Sequence, residues 1–277
     1  LQYPNAAGNV EDYRAFVEKA HAANCKVAVA ADILSLALLT PPGGWGADIV
    51  FGTTQRLGTP MFYGGPSAAY FATRDEYKRN MPGRIIGWSK DKYGKLCYRM
   101  ALQTREQHIK REKATSNICT AQALLATMAG FYAVYHGPEG IRTIAERIHS
   151  IAVFLEESIN RLGYKQVNAQ YFDTLRFALP DTISAQQIRT IALSKEVNLR
   201  YFKNGDVGMS IDETTDIAAV NVLLSIFAIA AGRDWEKTSD VPMASSISAE
   251  MKRQSAYLTH EVFNLSLIHI SEPTRPY

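Results

Sequence analysis

Residues 47–67 limit the possible folds of this chain more than any other segment. Their sequence is ADIVFGTTQRLGTPMFYGGPS. Hydrophobic residues 49–51 stand between two glycines, which is the pattern of a short buried strand in a parallel sheet. A polar stretch, residues 53–56, follows, and a glycine-glycine-proline turn at residues 64–66 comes before a second predicted strand at residues 68–73. Ligands of open α/β sheets bind where strands end, so we expect a ligand crevice beside the polar stretch.

The segments before this one alternate between helix and strand patterns. Residues 10–24 carry hydrophobic side chains at helical spacing, and Asn9 with Asp12 has the form of a capping box at the helix start. Residues 26–31 have the pattern of a further strand. This β-α-β order is typical of a parallel sheet in an α/β protein.

Two helices are predicted in the middle of the chain. Residues 118–135 predict a largely apolar helix that is buried in the domain, with Met128, Phe131 and Tyr132 in the core rather than in a cofactor site. A glycine and a proline end it, and an amphipathic helix follows over residues 141–162.

The other elements follow from turn residues and periodicity. They are a hairpin with strands 85–89 and 96–100 around turn 91–95, a strand over 172–179, a helix over 184–194 capped by Ser184, a second hairpin with strands 199–203 and 207–212 around Asn204-Gly205, and a helix over 216–231 capped by Thr214 or Thr215. We therefore expect a large domain over residues 1–140, a smaller α/β domain over 141–240, and a linker or the start of a further segment over 241–264.

Composition excludes several classes of function. The 30 Lys and Arg residues and 27 Asp and Glu residues give a net charge of +3, without a basic stripe for nucleic acid. Cys25, Cys97 and Cys119 lack metal-ligand spacing, and their odd number argues against a disulfide framework and fits a reducing cytoplasm. No apolar run reaches the roughly 18 residues that a membrane span needs. We expect a cytoplasmic protein with no metal, membrane or nucleic-acid partner.

Several motifs resemble one family, the P-protein of the glycine cleavage system. They are QYPN at residues 2–5, TPPG at 40–43, GADI at 46–49, GGP at 64–66, MPGRIIG at 81–87, QTREQHI at 103–109 and REKATSNICT at 111–120. The resemblance runs from Leu1 to about Asn264 without a large gap. It implies the fold of pyridoxal-phosphate (PLP)-dependent transferases, fold type I, for a large domain that is truncated at its amino terminus, together with the smaller α/β domain.

The resemblance also implies an activity. The family decarboxylates glycine with PLP and transfers the aminomethyl group to the lipoyl group of the H-protein, an oxidoreductase reaction of glycine catabolism. This chain is similar to the amino-terminal half, which is expected to complete the fold, the dimer contact and part of the substrate entrance. The carboxyl-terminal half, or a companion subunit, would supply the lysine and most cofactor contacts. The alternative is a stand-alone scaffold or regulatory subunit of a two-chain P-protein.

The polar stretch after the first central strand lacks the group that PLP chemistry needs. In the family's catalytic half a His-Lys pair lies upstream of the glycine-rich segment, and counting back from Pro60 and Pro66 places that pair on Thr54 and Gln55. A glutamine amide cannot form an imine or transfer a proton at neutral pH, and threonine cannot stack on a pyridine ring. We therefore expect no catalytic residue in this half and no covalent attachment of PLP to it.

Asp32 is a weak candidate for a cofactor contact. It follows the predicted strand 26–31, where PLP enzymes of this fold place a carboxylate that keeps the ring nitrogen protonated. The alternative is a cap or turn residue ahead of residues 33–39. Aligning Gly46-Ala47-Asp48 with the family's catalytic half puts Val29 at the nitrogen-binding position, so we favour the turn.

Arg99, Arg105 and His108 are candidates for anion or interface contacts. The resemblance places the predicted hairpin and the segment after it at the contact between the two halves, where a guanidinium group binds carboxylate or phosphate. Structural ion pairs with Glu106 and Glu112 are the alternative. Both interpretations stay open.

The two ends of the chain need separate treatment. The chain opens at Leu1 without a methionine, inside a predicted strand, so we expect that the amino terminus is missing. Residues 265–277, LSLIHISEPTRPY, do not fit the family and resemble a translated sequencing adaptor, with a natural tail as the alternative. We expect this tail, including His269, to have no functional role.

Overall fold

The structure is a computed structural model, and it describes residues 1–81, 83–102, 107–114 and 122–264. The predicted tail and the first residues of the helix predicted over 118–135 lie outside the described residues. The described strands form two four-stranded sheets and one two-stranded hairpin.

The first sheet contains β1 (Gln2–Tyr3), β2 (Ala28–Ala31), β3 (Ile49–Thr53) and β4 (Ala69–Thr73), in that order. β1, β2 and β3 are parallel, as predicted, but β4 runs antiparallel to β3. The prediction of a parallel sheet is therefore wrong for its last strand. The connection over residues 54–68 contains no helix, and a parallel neighbour would require a longer crossover.

The expected burial of the central strand is also incorrect. Phe51 and Phe71 lie opposite each other on β3 and β4, and both are exposed. No other described residue covers this face of the two strands well enough to bury them. The sheet therefore presents apolar side chains at its surface.

The first helix, α1 (Arg14–Ala22), is shorter than predicted. Residues 10–13 do not join it because the Val10 amide donates a hydrogen bond to the Gln170 carbonyl, 2.8 Å away, which holds that backbone outside the helix. Asn9 is not the cap. The Arg14 amide instead donates to Oδ1 of Asp12 at 3.0 Å. A tertiary contact thus decides where this helix begins.

The hairpin forms as predicted, from β5 (Ile85–Lys90) and β6 (Leu96–Leu102). The Asp91 amide donates to the Lys95 carbonyl at 2.9 Å, and Gly94 takes a φ of +81° in the turn. The short helix α2 (Gln107–Lys110) follows. Single turns of 3₁₀ helix occur at Ser35–Ala37, Pro42–Trp45, Asp75–Tyr77, Arg111–Lys113 and Glu261–Phe263.

The long helix α3 (Ala123–Arg161) confirms the two predicted helices and the break between them. Gly137 has φ +61° and ψ −178°, and Pro138 follows. The second part buries a continuous stripe against the core, formed by Ile141, Ala145, Ile148, Ala152, Leu155 and Ile159.

The first part of α3 is not buried as predicted. Few of its residues are buried, and most of these are small. Phe131 is 69% exposed, whereas Met128 and Tyr132 are half-buried. Leu124 and Tyr135 are exposed as well. Apolar periodicity predicted the helix correctly, but the described residues leave Leu124, Phe131 and Tyr135 uncovered.

The second sheet has the order β7-β8-β10-β9, with all pairs antiparallel. Its strands are β7 (Lys165–Gln166), β8 (Thr174–Ala178), β9 (Arg200–Tyr201) and β10 (Val207–Ser210), and its helices are α4 (Ala185–Ser194) and α5 (Ile217–Ala231). Ser184 caps α4 as predicted, by accepting from the Gln187 amide. Gly205 has a φ of +93° in the β9–β10 turn, the conformation that a glycine supplies there.

The predicted cap of α5 is wrong. Asp216 caps the helix, with its Oδ1 accepting from the Ala219 amide at 2.8 Å. The hydroxyl groups of Thr214 and Thr215 are not free for this role, since both donate to Oδ1 of Asp212. The turn after β10 therefore uses both threonines.

The segment over residues 241–264, predicted as a linker, packs on both parts of the chain. Leu39 forms a β-bridge with Lys252, and the Arg253 amide donates to the Leu38 carbonyl at 2.7 Å. The Ser246 amide donates to Nε2 of His149 at 3.1 Å. The domain boundaries stay a prediction. Among the described residues, no helix has both the length and the apolar character needed to cross a membrane.

Candidate functional site

A crevice of about 450 Å³ opens where the parallel strands β1, β2 and β3 end. The start of β8 and the end of β10 close its other side, so both sheets contribute to it. Its lining residues are Gln2, Pro4, Asn5, Ala6, Ala30, Ala31, Asp32, Gly52, Thr53, Arg56, Asp173, Thr174 and Ser210. This is the edge at which the sequence predicts a ligand crevice.

Gln55, the residue at the predicted lysine position, does not line the crevice. Its side-chain amide donates to the Pro60 carbonyl at 3.2 Å, and its backbone amide donates to Oγ1 of Thr53 at 3.1 Å. Thr54 is buried, with its backbone amide bonded to the Ala68 carbonyl. None of the described lining residues is a lysine. That Gln55 takes the place of the lysine stays a prediction.

Arg56 lies between two carboxylates in the crevice. Its Nη2 is 2.8 Å from Oδ2 of Asp173, and its Nε is 3.7 Å from Oδ2 of Asp32. The Arg56 guanidinium carbon also lies 5.7 Å from the ring centre of Phe172. The side chains of Arg56 and Asp32 are each 22% exposed, so the cluster is largely withdrawn from water.

Asp32 has the turn role that the sequence favours, together with the ion pair. Its Oδ1 accepts from the Leu34 amide at 3.1 Å, and its carbonyl accepts from the Ser35 hydroxyl at 2.8 Å. Val29, the residue predicted at the nitrogen-binding position, is fully buried in β2.

Burial shifts the pKa of both acids. It raises the pKa of Asp32 to about 6, against the opposing effect of Arg56, and the nearby Asp173 raises it further. The pKa of Asp173 is raised as well, again by burial, with Arg56 opposing. Removing a carboxylate from water thus outweighs the attraction of a single shared guanidinium.

Sequence reasoning did not identify Arg56 and Asp173 as site residues. Arg56 belonged to the predicted polar stretch, and Asp173 was a charged residue within the predicted strand 172–179. An acid among the apolar residues of a strand is a signal of a special role. Their meeting could not be read from the sequence because 117 positions separate them.

Of the three candidate anion-binding residues, only Arg99 has a side chain that the structure describes, and it does not line this crevice. Arg99 is exposed on β6, on the hairpin. Arg105 lies outside the described residues, and His108 belongs to α2 with a side chain that the structure does not describe. Their role therefore stays a prediction. Within the described part of the chain, no three His, Cys, Asp or Glu side chains are grouped as metal ligands would be.

The described lining of the crevice does not fit PLP. Among the lining residues that the structure describes there is no amine for covalent attachment, and the one guanidinium is already paired with two carboxylates. The two acids would also repel the phosphate group of PLP. This crevice therefore supplies neither the amine nor the anion-binding groups that the cofactor requires.

A pH-dependence follows from the raised pKa of Asp32. The pKa of Asp32 is 3.8 in the unfolded chain and about 6 in the folded protein. The contribution of Asp32 to stability is therefore fully present below pH 3.8 and is lost as the pH rises through about 6. Arg56, Asp173, Glu213 and Tyr70 are the charged and titratable groups that face it. We expect the Asp32→Asn variant to be at least as stable as the wild type at pH 7.5. The free energy of unfolding of the wild type should fall by about 1–3 kcal/mol between pH 4 and 7 because of Asp32, and the variant should lack this fall.

Urea denaturation of both proteins across this pH range tests the expectation. An Asp12→Asn variant is the control, because that acid lies in an exposed pair and should leave the pH profile unchanged. An Asp32→Asn profile that still falls as steeply as the wild-type profile would show that another group is responsible.

Comparisons with known proteins agree on one family. The family model described as glycine cleavage system P-protein matches residues 1–227. The glycine dehydrogenase (decarboxylating) of Bacteroides fragilis (strain YCH46) is 85% identical over 264 residues, which are 95% of this chain and 28% of that protein. The chain thus spans little more than a quarter of the length of this curated relative.

Solved structures give the same result. A crystal structure of glycine decarboxylase (P-protein) in inhibitor-bound form superposes with a TM-score of 0.76 at 31% identity, covering 83% of this chain and 54% of the other. An alanine–glyoxylate aminotransferase from Nostoc sp. superposes with a TM-score of 0.54 at 14% identity, covering 83% of this chain and 60% of the other, which is a likeness of fold alone. The predicted fold class, PLP-dependent transferase-like of fold type I, is confirmed.

Proposed function

Because this chain belongs to the P-protein family of the glycine cleavage system, we propose that it is the non-catalytic part of a glycine dehydrogenase (decarboxylating). The whole enzyme decarboxylates glycine and transfers the aminomethyl group to the lipoyl group of the H-protein. PLP, held elsewhere in the enzyme by a lysine, supplies the electron sink for that decarboxylation. Glycine, the lipoylated H-protein and the lysine-bearing part are thus the proposed partners, and the cytoplasm is the proposed compartment.

One observation carries the non-catalytic assignment. The crevice lies at the strand ends where this fold places its ligand, yet the part of its lining that the structure describes contains no amine. Gln55, which precedes the lining residue Arg56, donates its side-chain hydrogen bond to the Pro60 carbonyl of its own loop. A segment with this lining can shape an active site without carrying out the chemistry.

The surface of the chain supports a role in assembly. Large apolar side chains are exposed on the first part of α3, on the hairpin and in the loop before Gly64, among them Leu124, Phe131, Tyr135, Trp88, Tyr98, Met61 and Tyr63. Apolar groups in such number are characteristic of a surface that another protein segment covers. We propose that the lysine-bearing part of the enzyme, or its dimer partner, covers this surface.

A stand-alone non-catalytic subunit is the second candidate. The chain covers 54% of the P-protein chain in the crystal structure but 28% of the Bacteroides protein, so P-proteins occur with chains of different length. Reading the coding sequence beyond residue 264 separates the candidates. A continuous frame into a lysine-bearing half supports the single-chain enzyme, and a nearby stop codon supports the subunit.

The function is tested by transplanting the chain into a complete enzyme. Residues 1–264 replace the matching segment of the Bacteroides fragilis relative, and release of carbon dioxide from glycine is measured with lipoylated H-protein. We expect activity within about tenfold of the parent enzyme, because 85% of the exchanged residues are identical. The chain by itself should release no carbon dioxide.

Two results would contradict the proposal. One is a folded chimera without activity. The other is a lysine-linked adduct in the isolated chain, found by mass spectrometry after incubation with PLP and reduction with borohydride.

A further inference from the structure

We propose that Arg56 joins the two domains across the crevice and fixes their orientation relative to each other. This inference goes beyond the proposed function, since it concerns how this chain holds its domains together rather than which reaction the enzyme performs. It is carried by the origin of the three charged residues.

The three residues come from different parts of the fold. Asp32 follows β2 and Arg56 follows β3, so both belong to the first sheet, whereas Asp173 precedes β8 of the second sheet. Arg56 therefore contacts one carboxylate from each domain, at 3.7 Å and 2.8 Å. A side chain placed in this way resists movement of one domain against the other.

This pair is distinctive among the ion pairs of the described residues. Every other ion pair found there joins two residues on the same side of residue 140. The remaining links near the crevice are hydrogen bonds to backbone groups. Val10 to Gln170 and Asn168 to Ala7 are each 2.8 Å long, and the Arg200 guanidinium donates to the Ala6 carbonyl. Arg56 with Asp173 is thus the ion pair between domains that also hold each other through hydrogen bonds to the backbone.

The charge of Arg56 is used within the crevice. Two acids surround one guanidinium, and the ring of Phe172, which is fully buried, lies beside it. A ligand that needed a free cation would have to displace one of these acids from Arg56. The displaced carboxylate would then be left without a counter-ion in a largely buried site. Arg56 is therefore not a free cation for an anionic ligand.

Hydrogen–deuterium exchange of the full chain tests the link. Arg56→Met should raise exchange at least about tenfold in residues 5–10 and 168–173, where the backbone links the domains. Arg176→Met is the matched control, because its ion pair with Asp206 is as withdrawn from water but lies within the second sheet. It should raise exchange around β8 and β10 only.

Two further variants keep the test decisive if Arg56→Met does not fold. Asp173→Asn removes the contact to the second domain and should raise exchange in the same two segments. Asp32→Asn keeps that contact and should not raise it. Wild-type exchange at residues 5–10 and 168–173 in Asp173→Asn, or an equal rise in Arg176→Met, would overturn the link.

Failure of the proposed function would be visible separately, as an inactive chimera or an adduct on the wild-type chain.

Discussion

Replacing Phe227 with alanine is expected to lower the free energy of unfolding of this chain by about 3–5 kcal/mol. Phe227 lies on α5 and is fully buried. Its ring packs edge-on against Tyr164, with centroids 5.0 Å apart, and lies 5.7 Å from Phe177. Alanine keeps the helix but leaves a cavity where these rings meet, and close-packed surroundings fill such a cavity only in part.

Urea denaturation followed by far-ultraviolet circular dichroism measures this loss. Ile229→Ala is the matched control, because Ile229 lies on the same helix and is 52% exposed. We expect the control to lose about 1 kcal/mol or less. A loss for Phe227→Ala no larger than the loss for Ile229→Ala would show that this cluster does not stabilise the fold.

Replacing Arg56 with methionine is expected to cost about 3–5 kcal/mol at pH 7.5, because it leaves two largely buried carboxylates without their counter-ion. Arg56 lowers the pKa of both Asp32 and Asp173, so its removal raises both further. As the pH falls, these acids take up protons in the folded protein first, and the uncompensated charge disappears. The deficit should therefore shrink steadily from pH 7.5 to pH 5.

A surface ion pair provides the comparison for Arg56→Met. Arg161 and Glu157 form a pair on α3 with side chains 77% and 58% exposed. Arg161→Met should change stability by about 0.5 kcal/mol or less at every pH, because water screens such pairs. An Arg56→Met deficit that stays constant with pH would show that lost packing, rather than unpaired charge, is the cause.

The sequence predicted the local elements well where local forces decide them. The β9–β10 hairpin forms around Asn204-Gly205, Ser184 caps α4, and α3 breaks at Gly137. Each of these depends on a backbone conformation or a hydrogen bond within a few residues, so the residue types alone specify it. The family resemblance, which the comparisons confirm, rested on the same kind of short motifs.

Errors arose where distant parts of the chain meet. Residues 10–13 are drawn out of α1 by a hydrogen bond to Gln170, and β4 reverses direction after a connection without a helix. The first part of α3 has the apolar pattern of a core helix yet leaves Phe131 exposed. Periodicity shows which face of an element is apolar, but not which surface covers it.

The sequence by itself determined the family and the succession of strands and helices, and it predicts that Gln55 stands where a lysine would be needed. Those properties depend on residue identity and on contacts within a few residues. Only the tertiary structure decided that Arg56 joins Asp32 and Asp173 in one crevice. That cluster exists because two sheets meet at their strand ends. Burial at this place raises the pKa of both carboxylates, and Arg56 opposes the rise in each.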